Sequence, residues 1–97
     1  MMLQEYLNTP LSRSEIATIV KNILISEAHI NIRPEAISED EALHSELLRI
    51  TSLSFLGIIL SLEEALDISM EDELFMKTQF RTVGDLVNFI DQLYRSR

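Results

Sequence analysis

The chain has 97 residues, no cysteine, two glycines and two prolines, and 46% of it is hydrophobic. That is one domain with enough apolar material for a core, and it excludes a disulfide framework, a Cys-based metal site and a turn-rich β-sandwich. Sixteen acids against eight Lys and Arg residues give a net charge of −8, which excludes the basic footprint that nucleic acid or an anionic membrane surface requires.

The acid is local. Residues 35–73 hold eleven carboxylates and a single base, Arg49, whereas the first 34 residues are balanced. A basic partner is therefore expected at the middle of the chain. No apolar run is long enough to span a bilayer. The N-terminus lacks the basic-then-apolar pattern of a signal peptide. The expectation is a soluble, cytoplasmic, monomeric protein with no membrane insertion.

Residues 1–11 show no clean period and read as a loosely ordered extension ahead of a domain over 12–97. Ser12 and Glu15 form an S-x-x-E capping box. Ile16, Ile19, Val20, Ile23 and Leu24 follow at helical spacing, predicting a helix from Arg13 to Ala28. Pro34 marks a loop. Residues 29–50 form a long acidic connection anchored by Ile32, Ile37, Leu43, Leu47 and Ile50; a connection of that length is often functional.

Ser52 reads as the N-cap of a second helix from Leu53 to Leu66. Its apolar residues divide into two stripes. Phe55, Ile58, Ile59, Leu62 and Leu66 form one face, and Leu53, Leu56 and Leu60 a second that continues into Glu63, Glu64 and Asp67. One stripe suffices for a core. Periodicity alone allows both stripes to be core and Ser52 a plain cap. The alternative is an exposed serine at a helix N-terminus, where amides and dipole tolerate a phosphate, beside an apolar docking face rimmed by acids. Residues 69–79 hold a short candidate helix with Glu71, Asp72 and Glu73 in its first turn. Thr82 caps a last helix carrying Val83, Leu86, Val87, Ile90 and Leu93, with Arg95 and Arg97 at its basic end.

Other chemistries are poorly supported. His29 and His44 are too few for a zinc site and read as ordinary loop histidines. The run from Asp67 lacks the glycine and final glutamate of a calcium loop. No nucleophile elbow and no glycine-rich phosphate loop is present. No metal site and no catalytic residue is assigned.

The run Ile50-Thr51-Ser52-Leu53 through Leu62-Glu63-Glu64-Ala65-Leu66, followed by Thr82-Val83-Gly84-Asp85-Leu86 through Phe89-Ile90, resembles the acyl carrier protein family. Members carry an Asp-Ser-Leu signature, an L-E-E-x-(F/L) near the end of the second helix, and a last helix opening T-V-x-x-(L/A). Glu46 and Leu47 are similar to the E-(D)-L that precedes the signature. The resemblance spans residues 12–93. Thr51 stands for the signature Asp, Leu48-Arg49 for the glycine before it, and Gly57 for the glutamate five residues after the serine. The interval between the short helix and Thr82 is longer by about two residues than the family pattern.

The resemblance implies an all-α four-helix bundle with a short third helix, and a carrier rather than an enzyme. A phosphopantetheinyl transferase, using coenzyme A and Mg²⁺, would attach 4′-phosphopantetheine covalently to Ser52. The terminal thiol would carry acyl groups of fatty acid, polyketide or related biosynthesis as thioesters. Partners would be that transferase and acyl-transferring or condensing enzymes with basic docking patches. They would meet Thr51, Leu53, Leu56, Leu60, Glu63 and Glu64, while Phe55, Ile59 and Leu62 would line an interior for the acyl chain. The departures point to a specialised carrier, or alternatively to a carrier-like interaction module that is never modified.

Overall fold

The computed structural model describes residues 10–71, 73 and 78–96. Among them the regular elements are three α-helices and one 3₁₀ turn, with no strand. They are α1 (Arg13–Ala28), the turn at Pro34–Ala36, α2 (Ser52–Leu66) and α3 (Val83–Ser96). Most of the short helix expected over 69–79, like residues 1–9 of the expected extension, lies outside the described residues.

Helix α1 begins where its capping box predicts. The Glu15 amide donates to Ser12 Oγ at 3.1 Å, and the Ser12 amide donates to Glu15 Oε1 at 2.8 Å. This satisfies amides that the first turn would otherwise leave free. The face of α1 that carries Ile16, Val20 and Leu24 is fully buried. Helix α1 is the centre of the bundle and packs against both α2 and α3. Ile58, Leu62 and Leu66 of α2 and Val83, Leu86, Val87 and Ile90 of α3 complete the core. Helices α1 and α2 both end in a left-handed residue, His29 (φ 56°) and Asp67 (φ 53°), residue types that visit this region more readily than most.

The connection from 29 to 50 has little regular structure and is nevertheless pinned at both ends. Its Ala42 pairs with Thr82 in an isolated antiparallel bridge. The Leu43 amide donates to the Arg81 carbonyl and the Val83 amide to the Glu41 carbonyl, each at 2.9 Å. The Gly84 amide donates to the Glu39 carbonyl at 2.8 Å. A Cβ on Gly84 would lie 3.1 Å from that carbonyl oxygen, so any side chain there would press on the loop backbone, which would have to give by a few tenths of an ångström. Arg13 binds Glu39 through both carboxylate oxygens, at 2.9 and 2.7 Å, and also donates to Asn88 Oδ1. One guanidinium thus ties α1, the loop and α3 together.

Several expectations need correcting. Thr51, not Ser52, caps α2, and Ser52 is its first helical residue. The loop anchor is Leu48, which is buried, while Leu47 is turned outward. Arg49, which follows them, takes φ 50°. Arg49 occupies the left-handed region that glycine adopts without penalty. At the end of α3, Tyr94 is buried and Leu93 only partly so. The Tyr94 hydroxyl accepts from the Leu11 amide at 2.9 Å, and Arg95 donates to the Leu11 carbonyl. Leu11, which by sequence belonged to the loose extension, is therefore fastened to α3.

Candidate functional site

The start of α2 is built around a reciprocal cap. Ser54 donates its amide to Thr51 Oγ1 at 3.2 Å, and the Thr51 amide donates to Ser54 Oγ at 2.8 Å. The two hydroxyls also lie 2.9 Å apart. Threonine and aspartate are both favoured N-caps, so Thr51 performs the local task that an aspartate at this position would perform. The consequence falls on the next residue. Because Thr51 and Ser54 satisfy each other, Ser52 has no capping duty. It is exposed, and among the described residues its hydroxyl has no hydrogen-bond partner.

Ser52 also opens onto a cleft of about 370 Å³ between α2, the end of the long connection and the segment before α3. That volume lies within the range of small-molecule sites, about 300–1,000 Å³. Leu43, Ile50, Phe55 and Phe80 supply apolar walls, and His44, Thr51, Ser52 and Thr78 the polar ones. Phe55 is half-buried rather than core. Its ring lies 5.3 Å from Phe80, which in turn meets Phe89 edge-on at 5.0 Å. This aromatic chain connects α2 to α3 behind the cleft. Ile59 and Leu62 are buried in the core and do not line the cleft.

The two stripes of α2 separate as predicted. Ile58, Ile59, Leu62 and Leu66 face inward. Leu53, Leu56 and Leu60 are 81%, 52% and 65% exposed. The acids that follow them are not equivalent. Glu64 is exposed. Glu63 is half-buried, and its Oε2 accepts the Met70 amide at 2.7 Å, fastening the chain beyond α2. Gly57 lies within the exposed stripe, and the carboxylate of Glu27 from α1 rests against it. Glu27 Oε1 is 3.4 Å from the point a Cβ on Gly57 would occupy.

Sequence reasoning missed His44, Thr78, Phe80 and Glu27 at this surface. The first three reach the cleft through loop geometry, and Glu27 crosses from another helix, so no spacing rule signals them. Among the described residues no cluster of His, Cys, Asp or Glu could hold a metal ion, and no helix is long and apolar enough to cross a membrane.

The site thus offers an unengaged hydroxyl on the first turn of a helix, an adjoining cleft and an exposed apolar stripe. A family model described as phosphopantetheine attachment site matches residues 18–90, well over half of the chain. No curated protein matches the chain.

Proposed function

Because the chain belongs to the phosphopantetheine attachment-site family, whose domains are non-catalytic carriers that bind 4′-phosphopantetheine covalently, we propose that Ser52 is the attachment residue of an acyl carrier. The observation that carries this reading is the cap. Thr51 and Ser54 saturate each other and leave the Ser52 hydroxyl exposed and unengaged. Attachment replaces the Oγ–H bond with an Oγ–P bond, while the nucleotide half of coenzyme A leaves and a base of the transferase takes the proton. The residues present suit the group. The first amides of α2 lack helical partners and carry the positive end of the helix dipole, which favours a phosphate on Ser52. Phe55, Phe80, Leu43 and Ile50 give the adjoining cleft an apolar lining fit for a slender chain.

The bound group supplies a terminal thiol that holds acyl units as thioesters. Tethering raises the effective concentration of the cargo at each partner. Leu53, Leu56 and Leu60 form the face offered to the transferase and to acyl-transferring or condensing enzymes, with Glu64 as its exposed charge. Glu63 is spent on the Met70 amide and acts mainly as an anchor. Of the residues expected to admit an acyl chain, Phe55 is the one at the cleft. The cargo class in this reading is an acyl intermediate of fatty acid, polyketide or related biosynthesis. A four-helix bundle, completed by a short helix over 69–79 within a 12–97 domain, belongs to the same reading.

Co-expression with a broad-specificity phosphopantetheinyl transferase tests it. Intact mass is expected to rise by one phosphopantetheine, and Ser52→Ala to abolish the addition. Addition retained in Ser52→Ala, or displaced to Ser54 or Ser61 in the unaltered chain, would overturn the assignment.

A further inference from the structure

Gly57 makes a notch in the exposed stripe of α2, one turn from both Leu53 and Leu60. The notch is occupied by the carboxylate of Glu27, with Oε1 and Oε2 at 3.4 and 3.7 Å from the missing Cβ. Glu27 belongs to the last turn of α1. A negative charge there opposes the helix dipole, so Glu27 does not serve the stability of its own helix. Among the described residues it has no hydrogen-bond or ion-pair partner. Within α2 itself no acid occurs before Glu63, and Glu63 is engaged by Met70. The charge nearest the centre of the stripe is therefore contributed by a different helix.

We infer that Glu27 is a partner-binding residue. The docking surface spans α1 and α2, and Glu27 presents through the Gly57 notch a carboxylate for an arginine or lysine set among apolar side chains of the modifying transferase. This rests on the reading of Ser52 above and deepens it. Charge complementarity selects the occupant. The chain is strongly acidic, and a half-buried, unpaired carboxylate set against Gly57, on the helix face that carries the exposed Leu53, Leu56 and Leu60, is matched by a cation with an apolar border. A second copy of this chain would set carboxylate against carboxylate and is disfavoured.

The test uses the full chain, coenzyme A and a broad-specificity phosphopantetheinyl transferase. Initial rates are measured at low and high salt, with melting followed by circular dichroism. Glu27→Gln keeps the shape and removes the charge. It is expected to slow modification about two- to fivefold at low salt, the worth of one exposed ion pair. The difference should shrink at high salt as the pair is screened. The melting temperature should hold or rise, because a charge opposing the α1 dipole is gone. In the double variant Glu27→Gln with Gly57→Glu the carboxylate is relocated to α2, and the rate should recover. An unchanged rate in Glu27→Gln, or a loss that is the same at both salt concentrations, would overturn the inference while leaving Ser52 as the site. So would a rate loss that tracks a fall in melting temperature. If the unaltered chain takes up no phosphopantetheine, the reading of Ser52 fails first and the inference goes with it.

Discussion

At the scale of single residues, the start of α2 depends on which hydroxyl does which task. Thr51 and Ser54 exchange two hydrogen bonds, and each cap of this kind contributes about 1 kcal/mol. Thr51→Ala is therefore expected to lower unfolding free energy by about 1 kcal/mol in urea titration. Thr51→Asp should retain it, since a carboxylate caps equally well and suits the dipole. Equal stability of all three proteins would show that the helix start does not rely on the cap. Threonine at this position keeps the helix start intact and leaves the Ser52 hydroxyl exposed. Arg49 is the opposite case. It bears the left-handed turn that glycine makes more easily, and its Nε donates to the Glu46 carbonyl at 3.0 Å.

At the scale of the element, α2 is a helix with two apolar faces, one buried and one exposed. Leu62 is fully buried and Leu60 is largely exposed, although only Ser61 lies between them. Leu62→Ala should cost about 2–5 kcal/mol, the transfer and cavity cost of a buried leucine. Leu60→Ala should cost well under 1 kcal/mol, as surface changes generally do. Parallel denaturation curves decide this, and the reverse ranking would mean the faces are inverted. If Leu60 belongs to the docking face proposed above, the same pair should separate in modification by the transferase, with Leu60→Ala slowing it while leaving the fold undisturbed. Gly57 belongs to this scale as well. In a helix interior it sacrifices about 1 kcal/mol relative to alanine, and the Glu27 carboxylate occupies the space so opened.

At the scale of the whole molecule, the long connection is held to α1 and α3 by charge and by amides. Hydrogen bonding from Arg13 lowers the Glu39 pKa, and the Arg81 and Thr82 amides lower that of Asp85. A carboxyl group with a depressed pKa in the folded state stabilises the fold above its unfolded value, near pH 4, and loses that contribution as the pH falls further. Stability should accordingly drop between about pH 5 and pH 3. The double variant Glu39→Gln with Asp85→Asn should lose less over the same interval. Superimposable slopes in pH-dependent urea unfolding would remove these two groups from the account.

Much of this molecule was legible in its residues because the signals are local. The Ser12–Glu15 box placed the start of α1, period 3.6 separated the faces of α2, and Thr82 with Val83, Leu86, Val87 and Ile90 located α3. Caps and amphipathic periods act within one or two turns, so a linear reading reaches them. The start of α2 is legible to within one residue, because serine and threonine are both competent N-caps and only the backbone places the cap at Thr51 rather than Ser52. Tertiary structure alone settled the rest. Beside a left-handed Arg49, Leu48 is buried and Leu47 exposed. Packing of α3 drew Tyr94 to Leu11, folding of the loop brought His44 and Phe80 to the cleft, and α1 lent Glu27 to the face of α2. Each of these joins residues far apart in the chain, or turns on a backbone angle that side-chain spacing does not encode.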